Sequence, residues 1–368
     1  MISDLHLGKA SRADLLRRAD LRAPLIEVLD GVDRLVILGD GLELREAPQR
    51  DAAAAAAPFF ADVGRALGPD GELVLTAGNH DHGLVAGWID ARLLSEPSGF
   101  LGLEQRIEPH DAGPLAGRVA EHAAPARVTV VYPGVWLRED VYALHGHYSD
   151  LHTTVPTFER LAAGAMARWV VRLPEHGASP DDYEAALSPL YAWMHQLTQR
   201  SDHAVVSAGA GASSRAWVAL AGEGRHRRPL RMAALGAAYV AAVALINRIG
   251  LGPVDRRLSG AALRRGGLQG IREVLRRLDV GAPHVIWGHS HRSGPWPGDD
   301  PAEWTTAAGG RLHNAGSWVY QRHFLSEMPN ASPYWPGTAI ALDGDGPPRL
   351  ERLLGERGHP ELSRRAQG

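Results

Sequence analysis

The chain has 368 residues, of which 45% are hydrophobic, and a formal net charge of −3 at pH 7. This length and apolar content predict one large domain, or one domain with a large insertion. The near-neutral charge argues against wholesale nucleic-acid binding. The absence of cysteine excludes disulfides and thiolate ligands, so any metal site must use nitrogen and oxygen atoms.

The chain opens almost directly on a polar motif. Only Met1 to Ser3 precede Asp4-Leu5-His6, whereas the later motifs follow four or more apolar residues. We therefore expect the natural start to lie upstream, with part of the first strand absent. No positively charged segment followed by an apolar run opens the chain, so we expect no signal peptide and a cytoplasmic protein.

Apolar runs alternate with helical periodicity in the first half of the chain, which is typical of an α/β protein. Most of the runs stop at Gly, Asp, Asn or His, as strands do at the functional edge of an α/β sheet. The predicted elements, in order, are a helix to about Leu29, a strand over Arg34–Gly39, a helix over Ala52–Leu67, a strand over Glu72–Gly78, mixed helix and loop over 84–105, a hairpin of Val128–Tyr132 and Val135–Leu137 around Pro133 and Gly134, and a strand over Val141–Leu144.

The periodicity becomes helical from Asp150 to about Ala282 and then returns to strands. Because strands lie on both sides of it, we predict that the helical part is an insertion and not a second tandem domain. The predicted helices are Phe158–Leu173, Asp181–Gln199, Leu230–Ile249 and Leu268–Leu278, with breaks at Gly209–Ser214 and Gly222–Arg231, and the later strands are Pro283–Trp287, Arg311–Trp318 and Thr338–Leu342.

Five short polar motifs accompany the predicted strands. Each one alone is weak, because a single Asp-x-His or His-Gly-His is more often a surface turn or a loop. Five of them at strand ends in one chain favour a common metal site. In order, they are Asp4-x-His6, Gly39-Asp40-x-x-Glu43, Gly78-Asn79-His80-Asp81, His145-Gly146-His147 and Gly288-His289-x-His291.

Together these motifs resemble the signature of the calcineurin-like metallophosphoesterase superfamily, in which D-x-H, G-D-x-x-[DE], G-N-H-[DE], a single His and G-H-x-H end successive strands. The resemblance implies an α/β fold, namely a four-layer α-β-β-α sandwich of two mixed sheets. The predicted core covers 1–150 and 283–354, a helical cap insertion covers 151–282, and a loose tail covers 355–368.

The resemblance also implies two divalent metal ions bridged by Asp40. Imidazole, carboxylate and amide ligands suit Mn²⁺, the first choice, or Fe²⁺, Zn²⁺ or Co²⁺. Because side chains alternate along an extended segment, residues spaced as in D-x-H and H-x-H are expected to point to one cluster. The implied ligands are Asp4, His6, Asp40 and His291 for one ion, and Asp40, Asn79, His145 and His289 for the other.

The implied reaction is hydrolysis of a phosphate ester by a metal-bridging hydroxide. We predict that His80 is the general acid and that Asp81 orients it, with a structural loop histidine as the alternative. Glu43 is expected to hold a ligand histidine, or else to be a first-turn helix carboxylate. His147 is a candidate for ligand support or substrate contact, with neither role as the alternative. Arg292 is a candidate for contact with a phosphate group, with a solvated arginine as the alternative.

An uncharged segment, Met232–Ile246, lies within the arginine-flanked region 225–257. A membrane-spanning helix needs about 20 apolar residues. A single span here would also separate His289 and His291 from Asp40. We therefore expect the segment to be buried in the cap, to pair with a second apolar helix, or to lie in the membrane interface as a peripheral contact.

The layout after His145 is similar to the branch of the superfamily that cleaves UDP-2,3-diacylglucosamine, a lipid-linked pyrophosphate. That branch has Asp at the position of His147 and Arg at the position of His80. We therefore predict a broad substrate class, covering phosphomonoesters, phosphodiesters and pyrophosphates, including amphipathic or lipid-linked ones. The alternatives are a catalytically inactive scaffold of the same fold and a nuclease, which would need a basic groove lined with aromatic residues.

Overall fold

The computed structural model describes residues 1–95, 99–155, 157–200, 240–255 and 260–364, which form an α/β structure. The strands are β1 (Arg34–Leu38), β2 (Glu72–Thr76), β3 (Glu104–Ile107), β4 (Arg127–Arg138), β5 (Val141–Leu144), β6 (His284–Trp287), β7 (Arg311–Asn314), β8 (Thr338–Ala341) and β9 (Arg349–Arg352). The helices are α1 (Ala19–Glu27), α2 (Gln49–Leu67), α3 (Ala86–Leu93), α4 (Pro109–Ala112), α5 (Pro114–His122), α6 (Phe158–Trp169), α7 (Pro180–Arg200), α8 (240–248), α9 (Gly260–Arg277) and α10 (His359–Leu362).

The described residues divide into two compact units. The first contains all nine described strands and comprises 1–95, 99–147, 191–200 and 281–364. The second is helical where the structure describes it and comprises 148–155, 157–190, 240–255 and 260–280. The C-terminal part of α7 belongs to the first unit, although the sequence analysis assigned it to the insertion.

The main sheet of the first unit is mixed, with the order β1-β2-β4-β5-β6-β7, and β3 pairs with β4. Strands β1, β2 and β4 are parallel, and so are β5, β6 and β7, whereas β4 and β5 are antiparallel. The remaining strands, β8 and β9, form a separate antiparallel pair. The predicted division into two mixed sheets is not found among the described residues, so the four-layer sandwich stays a prediction.

The long strand β4 joins the two parallel halves of this sheet. Its first half pairs with β2 up to Leu75 opposite Val130, and its second half pairs with β5 from Leu144 opposite Gly134. The carboxyl ends of β2 and β5 therefore meet near the middle of β4, although these two strands approach from opposite directions. The staggered pairing of β2 and β5 with the two halves of β4 thus brings both sets of strand ends to one place.

The predicted hairpin around Pro133 is wrong, because residues 127–138 form a single strand. Pro133 lies opposite Glu104, the first residue of β3. At this point β4 changes from pairing with β2 and β3 to pairing with β5. A missing N–H group is tolerated at such a position. Gly134 serves a close approach and not a turn, since an added Cβ atom would lie 2.2 Å from the hydroxyl of Tyr142.

Packing of α2 on the sheet explains the alanine-rich segment. The buried side chains of this helix include Ala52, Ala56, Phe59, Phe60 and Val63, which recur at helical spacing on one face. The two phenylalanines are fully buried in the apolar cluster that also contains β1 and β2 side chains. The predicted helix over Ala52–Leu67 is confirmed, with an earlier start at Gln49.

The apolar segment 232–246 lies largely outside the described residues, because the structure describes the chain again only from 240. The arginines of 225–231 and 256–257 also lie outside them. In the part of the chain that the structure describes, no helix has both the length and the apolar content that a membrane crossing requires. The peripheral membrane contact through 225–257 therefore stays a prediction.

A histidine pair on neighbouring strands predicts loss of stability in acid. Nδ1 of His284 on β6 lies 3.1 Å from Nε2 of His313 on β7. Burial, with the charges of His284 and Arg311, lowers the pKa of His313 to about 4 from its ordinary value of 6.5. The unfolded chain therefore binds this proton first, and the stability that neutral His313 contributes is lost as the pH falls from 6.5 towards 4.

We expect the free energy of unfolding of the wild type to fall by about 1–2 kcal/mol more than that of His313→Asn between pH 7 and pH 5. Urea unfolding at both pH values measures this difference. His110→Asn, at an exposed position, is the matched control and should behave as the wild type. Equal losses in wild type and His313→Asn would contradict the prediction.

Candidate metal centre

The predicted ligands of the later motifs follow strands whose carboxyl ends converge on β4. Asp40 follows β1, Asn79 follows β2, His145 follows β5, and His289 with His291 follows β6. The first motif reaches the same edge through Ile2, which forms a parallel bridge to Ile37 of β1. The structure therefore brings all seven predicted ligands together: Asp4, His6, Asp40, Asn79, His145, His289 and His291.

Asp4, His6 and His291 form the first group of potential ligands. Nε2 of His291 lies 3.2 Å from Oδ1 of Asp4 and 3.1 Å from Nε2 of His6. The side chains of Asp4 and His6 are buried, whereas that of His291 is 19% exposed. Three electron-pair donors at this separation can hold one metal ion.

Asp40, His145 and His289 form the second group, and Asn79 adjoins it. Oδ2 of Asp40 lies 3.4 Å from Nε2 of His145, and Oδ1 of Asn79 lies 3.3 Å from the same nitrogen. Oδ2 of Asp40 is also 3.7 Å from Nε2 of His6 in the first group. This carboxylate therefore lies between the two groups, and the described residues can bind metal.

Two features of the buried atoms fit a cation. Oδ1 of Asp4 accepts no hydrogen bond of regular geometry from the described residues. The side-chain oxygen of Asn79 points at acceptors, and exchanging its amide oxygen and nitrogen would instead let the nitrogen donate to His145, His289 and Asp40. An inward amide oxygen is favourable with a cationic partner, which a metal ion or a protonated His145 would supply, because oxygen and unprotonated imidazole nitrogen otherwise repel each other.

The backbone at five ligands is left-handed. Asp4, His6, Asp40, His289 and His291 have φ values of 55°, 46°, 51°, 65° and 56°. The expectation that these ligand pairs share one face of an extended segment is therefore wrong, although both pairs do converge. Left-handed backbone redirects each side chain within a tight loop, and such sparsely populated conformations concentrate at functional sites.

Two glycines allow the ligand loops to approach each other. A Cβ atom on Gly39 would lie 2.4 Å from the ring of His145, and one on Gly78 would lie 2.3 Å from Oδ1 of Asp40. Both distances are far below van der Waals contact. The glycines in G-D and G-N-H are therefore required by close packing around the ligands.

Hydrogen bonds outside the ligand groups fix the ligand orientations. The hydroxyl of Ser3 lies 2.6 Å from Oδ2 of Asp4, and this oxygen also accepts from the backbone N–H of His289 at 2.9 Å. The amide of Asn314 donates to the carbonyl of Gly288 at 2.9 Å. These contacts hold the first motif against the last one, as outer hydrogen bonds do in metal sites.

Glu43 connects a ligand histidine with the predicted general acid. Its Oε2 atom lies 2.9 Å from Nδ1 of His6, and its Oε1 atom lies 2.8 Å from Nδ1 of His80. The ammonium group of Lys9 lies 3.3 Å from Oε2, and the backbone N–H of Arg45 donates to Oε1 at 3.0 Å. Because all of these partners can donate to it, Glu43 acts as an orienting carboxylate, as one of the two expectations proposed.

The predicted orienting role of Asp81 is wrong, because Glu43 holds His80. The carboxylate of Asp81 instead accepts from the backbone N–H groups of Asp40, Gly41, Leu42 and Gly78, at 2.7–3.2 Å. It thereby fixes the loop that carries Asp40. Burial and the charge of Asp40 raise the pKa of Asp81 to about 6.

Arg292, the predicted phosphate contact, pairs with a carboxylate instead. One guanidinium nitrogen of Arg292 donates to both carboxylate oxygens of Asp299, at 2.7 and 2.9 Å. The guanidinium carbon lies 5.4 Å from the ring centre of Trp304. The predicted phosphate contact is therefore replaced by a buried ion pair. His147 packs with its ring centre 5.6 Å from that of His145, and its predicted role in ligand support or substrate contact stays a prediction.

Sequence reasoning missed two basic residues at this site. Lys9 is the single lysine of the chain and follows the first motif directly, which is a signal that could have been used. Arg45 is only 9% exposed, and with the exchanged Asn79 amide its two terminal nitrogens lie 3.1 Å from the amide oxygen. Its guanidinium also lies 5.4 Å from the ring centre of Tyr191. No motif in the sequence marks this position.

The metal-free site balances carboxylates against imidazolium. Burial opposes ionisation of Asp4, but the charges of His291 and His145 outweigh it and lower its pKa to about 2. Burial likewise disfavours charge on His145, but Asp40 outweighs it and raises the pKa of His145 to about 10. Burial, with the charge of His80, lowers the pKa of His6 to about 4. A bound cation would replace the proton on His145.

No family model matches the chain, and a search of the curated proteins finds no match.

Because His145 must lose its proton to bind metal, we expect proton release on binding. Titration of metal-free protein with Mn²⁺ at pH 7.5 should release about one proton per protein. Calorimetry in HEPES and in Tris, which differ in ionisation enthalpy, measures this number.

The apparent affinity should also rise with pH below the pKa of His145, by up to about tenfold per pH unit. A titration of metal into buffer alone is the control for the heat of dilution. Binding with the same heat in both buffers, or with an affinity independent of pH, would contradict this assignment.

Proposed function

We propose that this chain is a metal-dependent phosphoric ester hydrolase of the metallophosphoesterase type, with two divalent ions at the two ligand groups. The observation that carries the proposal is the position of Asp40. One of its oxygens lies within 3.7 Å of imidazole nitrogens from both groups, namely those of His6 and His145. A carboxylate placed in this way suits a pair of ions that share one ligand.

Divalent ions at this position would polarise a phosphoryl group and make a bound water more acidic. Mn²⁺ is our first choice, with Fe²⁺, Zn²⁺ or Co²⁺ as alternatives, because the donor set combines imidazole, carboxylate and amide oxygen. The protein's own contribution is to fix these ligands through Glu43, Ser3 and the backbone amides around Asp81.

His80 is the group that we propose for proton transfer to the leaving oxygen. Its Nδ1 atom is held by Glu43 at 2.8 Å, which leaves Nε2 for a donor role. Its side chain is 22% exposed, whereas those of Asp40, His6 and His145 are buried. His80 and the 19% exposed His291 therefore mark the side from which a substrate reaches the ligands.

The proposed substrates are phosphomonoesters, phosphodiesters or pyrophosphates, including lipid-linked ones. The partly exposed edge is formed by imidazoles, which suit an anionic phosphate group. We propose the four-layer sandwich as part of the same assignment, on the strength of the five motifs and their spacing. The cytoplasmic location stays a prediction.

Metal analysis and turnover of an aryl phosphodiester with added Mn²⁺ test the proposal directly. The purified protein should bind up to two ions and hydrolyse the ester, and Asp40→Asn should lose both turnover and metal. A panel of phosphomonoesters, nucleotides and lipid-linked pyrophosphates then ranks the substrates. A wild-type protein that binds metal without hydrolysing any of them would support the scaffold alternative and refute the enzyme assignment.

Separate roles for His80 and Glu43 give a second prediction. We expect His80→Asn to lower kcat by about 10²–10⁴-fold with metal content unchanged, because only proton transfer is removed. We expect Glu43→Gln to lower activity by about 10–100-fold and also to weaken metal binding, because Glu43 orients His6 as well.

Glu46→Gln is the matched control for the Glu43 variant. Glu46 shares the ion pair with Lys9, at 2.7 Å, but no described contact joins it to a histidine. Its substitution should leave kcat within about twofold of the wild type, as is usual for partly exposed ion pairs. A kcat for His80→Asn equal to that of the wild type would remove His80 from the mechanism.

A further inference from the structure

The side-chain amide of Asn79 has different surroundings at its two ends. One end faces the second ligand group, which consists of Asp40, His145 and His289. The other end lies 3.1 Å from both terminal nitrogens of Arg45. An amide has one oxygen and one nitrogen, so the atom that faces the ligand group determines which atom faces Arg45.

The orientation that suits a metal ion directs donors at one another. Only the oxygen of the Asn79 amide can be a metal ligand, so the metal-binding orientation points this oxygen inward and the nitrogen towards Arg45. The amide nitrogen and the guanidinium nitrogens are all donors, and none of them can accept a hydrogen bond. An acceptor oxygen placed between them would satisfy both groups.

The backbone and the ring contact of Arg45 hold its guanidinium near Asn79. The N–H of Arg45 donates to Oε1 of Glu43 at 3.0 Å, and its carbonyl accepts from the hydroxyl of Thr198 at 2.9 Å. The guanidinium carbon lies 5.4 Å from the ring centre of Tyr191, and Arg45 is only 9% exposed. Movement of the guanidinium away from Asn79 is therefore restricted, which favours an added acceptor.

We propose that the amide nitrogen of Asn79 and the guanidinium of Arg45 together bind one anionic oxygen of a phosphate group when the amide oxygen holds an ion. This inference rests on the proposed function and adds a residue that contacts the substrate and the product. An anionic oxygen is favoured over water, because hydrogen bonds between charged partners are about twice as strong as neutral ones. The required chemical class is a phosphate group with an ionised non-bridging oxygen, which neutral phosphotriesters lack.

Titration of inorganic phosphate into Mn²⁺-loaded protein, by calorimetry in HEPES at pH 7.5, tests the assignment without measuring turnover. We expect Arg45→Met to weaken phosphate binding by about 10–100-fold, because a charged donor is lost. Arg45→Lys keeps the charge but not the planar fork, so it should weaken phosphate binding by a smaller factor. The Mn²⁺ affinity of both variants should be at least that of the wild type, which also shows that the ligand loops are folded.

Arg50→Met is the matched control, because it removes the same charge from a side chain that is 85% exposed. Its phosphate affinity should stay within about twofold of the wild type, since exposed charges are screened. Equal phosphate affinities of Mn²⁺-loaded wild type and Arg45→Met would overturn the inference and leave the proposed metal centre intact. A wild type that binds no Mn²⁺ would refute the proposed function and the inference with it.

Asn79→Asp tests whether the amide and the guanidinium share one phosphate oxygen. A carboxylate has an oxygen at both ends, so one can hold the ion while the other accepts from Arg45. Phosphate binding should therefore weaken by about tenfold or more. Adding Arg45→Met to this variant should weaken it by less than about twofold further, because the two groups act as a pair. An equal loss from Arg45→Met in the wild type and in Asn79→Asp would overturn the shared site.

Discussion

The structure of the site depends on the continuity of β4. Strands β2 and β5 run in opposite directions, so in a flat sheet their carboxyl ends would lie on opposite edges. A single strand of 12 residues pairs with both, and the two ends meet within a few residues of each other on it. Because β2 and β5 pair with different halves of β4, Asn79 after β2 and His145 after β5 can reach the same carboxylate of Asp40. The strand order and pairing of the sheet therefore determine which of the predicted ligands lie close together, independently of side-chain packing.

The sequence was sufficient for the α/β class, for most strand positions and for the seven residues that converge as potential ligands. Five of these residues follow a recognisable apolar run, whereas Asp4 and His6 lie too close to the start of the sequence to do so. It was misleading where one residue type serves two purposes. Pro133 and Gly134 together suggest a turn. In the structure, Pro133 lies where β4 changes its pairing partners, and Gly134 allows a close contact with Tyr142. Likewise, Asp81 neighbours His80 in sequence, whereas Glu43 contacts it in space. The roles of these residues depend on contacts with residues that are distant in the sequence. A local sequence pattern carries no information about such contacts.

Electrostatic balance links the ligands to their surroundings. Buried carboxylates at Asp4, Asp40 and Glu43 are stabilised by imidazoles and by Lys9, so the metal-free site holds its negative charge through protons and one ammonium group. Under the proposed function, bound cations would replace these protons. Since Glu43 contacts both His6 and His80, the proposed metal binding and proton transfer would be coupled through one carboxylate, and substitutions there would affect both.

The left-handed backbone at five ligands has a consequence for how this site tolerates change. Asp, Asn and His are the residues other than glycine that adopt this conformation most readily, and they are also nitrogen and oxygen ligands. Two independent demands, one from the chain and one from the ion, therefore select the same small set of amino acids at these positions. The backbone of these loops therefore restricts the residue types at the five positions by itself, with or without a bound ion.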